Sequence, residues 1–433
     1  MEGTPDGTAS VDGGAPTETA LPGAESVIEH LPYDVLLLLS KYMRPQDLIG
    51  GLSACNKQLH KMFASSEFWE ERIRTACKDY HSFLEKMQRS AAVPDPQFWQ
   101  KRVSQWQTIH HNFLWNNLNA KLLGEENQQY LGNFRALSFA GQGRCLAYIA
   151  KDRYSTSVWK LGDRSLDNKE PELITFKDHD QRMMSLRSLG NSISTGAWDG
   201  FIAVRDLERS SGAPSAKFCS AGFIMDHAWQ ENCIVCGTRG GLLEIFDIRA
   251  GEDSQARGKL FSPSAICNDI KMHMKDHDLI IAGWDNGVRI IKKFDLRNYE
   301  TVADVEPGTY NVSMAVSDNR VFVGADRGKV MEFDGTFLEL VHDYSAAFGH
   351  VKNLGWLPDV AFLECVRSIK YADGHVFTAD LRQVKVHEVA NMPKLLWEEE
   401  IVFSELAFCK ERCMLAAAVG YTPDQIKLFT PKP

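Results

Sequence analysis

Seven segments in roughly the last 300 residues share one layout: an apolar run, a turn rich in Gly, Asp or Asn, and a second run that ends on a large side chain. They read CLAYIAKDRYSTSVWKL, SISTGAWDGFIAVRDL, CIVCGTRGGLLEIFDI, LIIAGWDNGVRIIKKFDL, RVFVGADRGKVMEFDG, HVFTADLRQVKVHEV and MLAAAVGYTPDQIKLFT. The closing position falls at Trp159, Arg205, Phe246, Phe294, Phe333, His387 and Phe429, at intervals of 39 to 54 residues. No other feature limits the fold as tightly, because self-similarity at such a period means stacked supersecondary units. Short β-branched and aromatic runs between Gly/Asp turns are strand signals. Shorter apolar strands such as FRALSF, MMSLRSL, VSMAV, CVRSIKY and SELAF precede the copies, so each unit holds four strands. Seven such units close into a ring that protects nearly every sheet edge. A β-sandwich would not explain seven similar units. The expected architecture is therefore a seven-bladed β-propeller over residues 124–433. Its last copy runs out of sequence before an outer strand, and residues around 121–131 are expected to supply it.

The first 123 residues follow a different rule. Residues 1–25, MEGTPDGTASVDGGAPTETALPGAE, are poor in large apolar side chains and hold acids without Lys or Arg. Such a segment cannot bury enough surface to offset its chain entropy and is expected to be a disordered tail. It lacks the basic start and apolar stretch of a signal peptide. Next, LPYDVLLLLSKYM carries five large aliphatics in succession from Val35 to Leu39. The run is far too short to span a bilayer, which takes about 18 residues or more. Pro32 suits the first turn of a helix, and a helix apolar on adjacent faces must be covered from two sides. RPQDLIGGLSACNKQLHKM and SSEFWEERI suggest two more short helices, giving a small helical domain over 26–75. Three such helices make a poor core alone and need another domain or chain beside them. Residues 76–123 read as an aromatic helical linker, with Trp99, Val103 and Trp106 on one stripe.

Both halves resemble known families. Leu31-Pro32, Leu36, Tyr42, Pro45, Asp47-Leu48, Cys55 and Phe68-Trp69 fall where the F-box pattern places them, without gaps from Leu31 to Cys55. Gln58 stands where a Trp commonly follows that Cys. The C-terminal half resembles the WD-repeat family, with degenerate repeats: the Gly-His dipeptide survives only as Asp178-His179, and the terminal Trp-Asp is mostly Phe-Asp. Together these resemblances imply an F-box/WD-repeat substrate receptor of a Skp–cullin–F-box ubiquitin ligase. Leu31, Pro32, Leu36, Leu39, Pro45, Leu48, Cys55 and Trp69 would dock the Skp-type adaptor and, through it, the cullin–RING ligase. The propeller would hold a protein or peptide client for ubiquitination and degradation. The rival expectation is a WD-repeat scaffold without ubiquitin chemistry, and an enzyme built on a propeller is the distant third.

Candidate chemistry is sparse, and no cofactor is expected. Cys233 and Cys236 form a lone C-x-x-C in a strand-like run and read as buried thiols rather than a zinc or redox pair. His273, His277 and Asp278 would make a metal pair on a helix, but here they fall between expected strands and read as a charged hairpin. Ten scattered cysteines favour reduced thiols and a cytoplasmic or nuclear protein. A formal charge of −9 argues against general nucleic-acid binding. The turns between second and third strands line one rim of a propeller, and there Arg and Trp recur: Arg153, Trp198, Arg239, Trp284, Arg327 and Arg382. These side chains often anchor peptide recognition, so they are candidate client-binding residues. In propeller F-box proteins that bind phosphorylated degrons, Arg occupies two motif positions, and the resemblance carries these onto Arg239 and Arg367. Trp198 and Trp284 occupy the first position in their own blades. Phosphorylation of the client is thus left open.

Overall fold

The computed structural model describes residues 31–432, apart from 41–42, 44–47, 49–50, 52–53, 55–56, 77–95, 125–135, 150–151, 163–170, 210–211, 251–257, 262–269, 286–287, 310, 318, 345–364, 381–382, 390–392, 401–402 and 420–424. The expected tail at 1–25 and part of the expected linker therefore lie outside the described residues. Seven four-stranded antiparallel sheets form seven blades of a β-propeller. Their innermost strands are Leu137–Ala140, Met183–Leu189, Ile224–Gln230, Lys271–Lys275, Asn311–Ser317, Ser368–Ala372 and Phe403–Cys409. Each lies beside the innermost strands of both neighbouring blades, and the first lies beside the last, so the ring is closed. All seven closing positions sit on the third strand of a blade, from Trp159 in Thr156–Lys160 to Phe429 in Ile426–Pro431.

The seventh blade takes its outer strand from the front of the chain. Leu118–Leu123 pairs antiparallel with Ile426–Pro431, from Leu118 opposite Pro431 to Leu123 opposite Ile426. The closing strand thus exists, but it begins three residues before the expected window and occupies what reads as linker in the sequence. The reason is local. The preceding helix ends at Leu114, and Asn116 takes φ +46°, a left-handed stop that Asn tolerates well. The strand must therefore start at once. Leu118 and Leu123 point into the apolar layers on either side of the blade, while Leu122 is 43% exposed.

Three of the degenerate repeats carry a buried polar anchor of their own. In the second blade His179 Nδ1 meets Asp199 Oδ2 at 3.0 Å, and His179 Nε2 meets Thr195 Oγ1 at 2.8 Å. Arg205 stands at that blade's closing position, pairs with Asp178 and lies over the Phe176 ring. In the third blade the buried Glu244 accepts from Ser220 Oγ and from the Ala221 N–H. In the fifth, Glu332 binds both Arg320 and Tyr344. A buried carboxylate satisfied from two sides can replace the missing dipeptide.

Among the described residues four helices precede and adjoin the ring: α1 (Tyr33–Ser40), α2 (Lys57–Ala64), α3 (Ser66–Ala76) and α4 (Pro96–Leu114). Leu37, Leu48, Leu59, Phe63, Phe68, Trp69 and Trp106 make one core from them. Trp69 Nε1 donates to Phe63 O at 2.7 Å, and Arg72 Nη2 donates to Met43 O at 2.8 Å, tying the loop after α1 to α3. Burial pulls the Arg72 guanidinium down to about 9.

α4 joins this module to the propeller. Trp106 belongs to the helical core and also stacks on His110 at 4.9 Å, with His375 of the sixth blade 6.0 Å away. One turn further, Phe113 meets Phe377 and Trp397 edge-on, each at 5.5 Å. Aromatic pairs in such geometries contribute about 0.5–1.5 kcal/mol beyond area burial. The helices are thus bolted to the side of the ring rather than strung from it.

Two predictions follow from this packing. Leu123→Ala should destabilise the ring by about 2–4 kcal/mol in denaturant unfolding, while Leu122→Ala should change it little; equal effects would refute the closing role. Burial first, then Lys394 and His111, pulls His110 down to about 4, and burial, then His110, pulls His375 down to about 3. Both rings are held neutral when folded, while the unfolded rings take protons below about 6.5. Their contribution is therefore present above that pH and is lost as the pH falls toward 4. The melting temperature should drop between pH 6.5 and 4, and His110→Gln should flatten that slope.

Candidate interaction surfaces

A straight α-helix turns about 100° per residue, and this sorts the aliphatic run of α1 into two arcs. Leu37 and Ser40 are buried and Leu36 packs partly against the helical core. On the opposite arc lie Val35, Leu38 at 51% exposed and Leu39 at 46%. Leu31 and Pro32, half-buried and exposed respectively, stand one turn earlier on that same arc. The first turn is already formed there, since the N–H groups of Val35 and Leu36 both donate to Pro32 O. Of the expected adaptor contacts, Leu31, Pro32 and Leu39 thus line an open apolar face. Leu36 turns toward the core, while Leu48 and Trp69 lie inside it, 1% and 0% exposed. Those two shape the face from behind. Pro45 and Cys55 fall outside the described residues. Val35 and Leu38, which helical spacing places on a face apart from Leu36 and Leu39, were not among the expected adaptor contacts; in the structure Leu39 joins them.

On the propeller, one rim gathers side chains from the first three blades. Arg153, at φ +63°, receives the Met183 N–H on its carbonyl; the Trp198 N–H donates to Arg182 O; the Arg239 N–H donates to Phe223 O. Arg182 Cζ lies 5.3 Å from the centre of the Trp198 ring, and the Phe223 ring is 6.2 Å beyond it. Phe223 is 52% exposed, Tyr154 is also exposed, and so is Arg239. The Trp198 Nε1 and Arg182 Nε atoms are buried without a hydrogen-bond partner among the described residues. Desolvation, then the neighbouring Arg153, lowers the Arg182 guanidinium below its ordinary value. This is a shelf of aromatic rings edged by cations, with donors left over.

The structure therefore brings together Arg153, Trp198 and Arg239 and adds Tyr154, Arg182 and Phe223. The added Arg182 and Phe223 sit immediately before innermost strands, in loops that share the rim but have no repeated spacing. The sequence signal was only an aromatic after Gly222. Trp284 lies on the strand Asp278–Asp285 and Arg327 in the 3-10 turn Asp326–Gly328; their side chains, and the whole of Arg382, fall outside the described residues. Arg367 does not line this shelf. It is half-buried at the start of the sixth blade's innermost strand and faces the central channel, about 420 Å³ in volume, which Arg239 does not line.

The remaining candidates resolve as structure. Cys233 and Cys236 share the strand Cys233–Thr238, where an odd separation sends side chains to opposite faces. Cys236 is fully buried and its thiol is pushed up to about 12, chiefly by desolvation. His273 lies on the strand Lys271–Lys275, and His277 falls in the turn before Asp278, a hairpin rather than a helical pair. Among the described residues no group of three His, Cys, Asp or Glu side chains could hold a metal ion, and no helix is long and apolar enough to cross a membrane.

Among solved structures the chain is similar to one from the crystal structure of a mitotic checkpoint complex, with 13% identity, a TM-score of 0.55, and coverage of 72% of this chain and 90% of that one. In all, 1627 solved chains match, so the likeness establishes a widely shared fold and nothing finer. No family profile and no curated protein matches the sequence. The fold is a seven-bladed β-propeller carrying a helical module.

Proposed function

We propose that the chain is the substrate-recognition subunit of a Skp–cullin–F-box ubiquitin ligase, acting in the cytoplasm or nucleus. The observation that carries this reading is the open arc of Leu31, Pro32, Val35, Leu38 and Leu39. It lies on a helix whose opposite side is already packed, in the segment that resembles an F-box. Contiguous exposed apolar side chains on a rigid element mark a protein-binding face. Pro45, Leu48, Cys55 and Trp69 complete the resemblance to the adaptor-docking pattern, with Leu48 and Trp69 supporting from inside.

The client would bind the aromatic and cationic shelf of Arg153, Tyr154, Arg182, Trp198, Phe223 and Arg239. Unpartnered donors beside exposed rings suit a peptide that brings acceptors and an apolar side chain. A rigid joint at Trp106 would hold the two surfaces at a fixed separation, so the client's effective concentration near the conjugating enzyme is set by geometry. No group of this chain needs to take part in bond chemistry. The second reading, a scaffold without ubiquitin chemistry, keeps the same shelf and assigns the helical face to a different protein.

The first of two experiments separates these readings, and the second tests the shelf that both share. Leu38→Glu with Leu39→Glu should abolish co-purification of a Skp-type adaptor and cullin while leaving the melting temperature within a few degrees of wild type. A wild-type chain that captures neither partner would leave only the scaffold reading. Arg182→Glu with Trp198→Ala should lose clients captured from cells, detected by mass spectrometry, and should keep the adaptor. Unchanged client capture would place the client elsewhere on the ring.

A further inference from the structure

The innermost strands line the channel with an excess of positive charge, although the protein as a whole carries −9. Arg187, Lys271, Arg367, Lys370 and Lys410 face it, together with His273; among the described residues Glu405 and Glu411 are the carboxylates that line it. The acids nearest the middle are already committed. Asp226 takes Arg187 at 2.7 Å and the Met272 N–H at 2.8 Å. Glu405 accepts from Ser368 Oγ at 2.5 Å and from the Leu406 N–H, and lies 3.8 Å from Lys370. Lys271 and Arg367 have no carboxylate within ion-pair distance among the described residues.

This arrangement is unfavourable as it stands. Like charges gathered in a narrow, partly desolvated space repel with little screening. Burial, ahead of all else, pulls the Lys370 ammonium below its ordinary range, and Arg187 and Lys271 push the same way against Glu405 and Asp226. His273 is drawn down to about 4 by burial, then by Arg187, Lys275 and Lys370. Lys271 and Arg367, with no acid to match them among the described residues, add to a field that an anion would relieve.

We infer that the central channel binds a small, multiply charged anion of the oligophosphate class, held by Arg187, Lys271, Arg367 and Lys370. A volume of about 420 Å³ is ample for such a molecule and its waters. The occupant is small because the cations stand within the channel: Lys370 is the third residue of Ser368–Ala372, and His273 the third of Lys271–Lys275. The site is separate from the rim shelf, which does not line the channel, and does not rest on the ubiquitin-ligase reading.

The test uses the full chain with inorganic tripolyphosphate as probe, in isothermal titration and thermal unfolding at matched ionic strength. Wild type should bind saturably near one per chain and melt at a higher temperature with the probe. Lys271→Gln should weaken binding about tenfold or more. In probe-free buffer the same variant should melt above wild type, because one repelling charge is gone. A side chain that merely supports the fold would lower it instead. If Lys271→Gln fails to fold, Arg367→Gln gives the same readouts. Lys177→Gln, on the outer surface, should behave as wild type. No saturable binding, or equal loss in Lys177→Gln and Lys271→Gln, would overturn the inference. So would displacement of the probe by a phosphopeptide client, which would make the channel part of the client site.

Discussion

Everything in this molecule depends on one pairing, that of Leu118–Leu123 with Ile426–Pro431. A ring of blades has no core of its own at the centre; each blade buries its faces only against its neighbours. Without the closing strand the seventh blade would expose an edge of unpaired amides and carbonyls beside Leu415, Leu428 and Phe429, which are buried in the closed ring. The apolar layers on both sides of that blade include Leu118 and Leu123, so closure fastens two clusters at once.

The same chain segment ties the helical module to the ring. α4 ends at Leu114, and the closing strand starts at Leu118. Only a tight, left-handed corner at Asn116 separates them. Trp106, His110 and Phe113 are therefore held by the sixth blade just upstream of a strand held by the seventh. The open arc of α1 and the aromatic shelf of the propeller are two faces of one body. If the first docks an adaptor and the second a client, their separation is an inherent property of the fold rather than of a flexible spacer.

The repeating part of the structure was legible because repetition averages out local accidents. The closing positions Trp159 to Phe429 mark third strands even where Arg205 and His387 replace the aromatic. Blade-specific anchors such as Glu244 or the Arg320–Glu332–Tyr344 cluster were not legible, since each is formed by residues distant in sequence and used once. The surfaces were read only in part. Arg153, Trp198 and Arg239 lie in turns with repeated spacing, whereas Arg182 and Phe223 lie in loops of varying length. In α1 every position from Val35 to Leu39 is aliphatic, so packing rather than pattern decides that Leu37 turns in and Leu38 out.

The closing pair also has a history in time. Leu118–Leu123 is made early, and its partner strand is synthesised roughly three hundred residues later. At about 5–20 residues per second on the ribosome, that strand waits some 15–60 s for its complement. Through that interval the growing blades form an open arc with a free edge at each end. The closing strand is thus the last pairing the chain can make, and its edge stays open until synthesis ends.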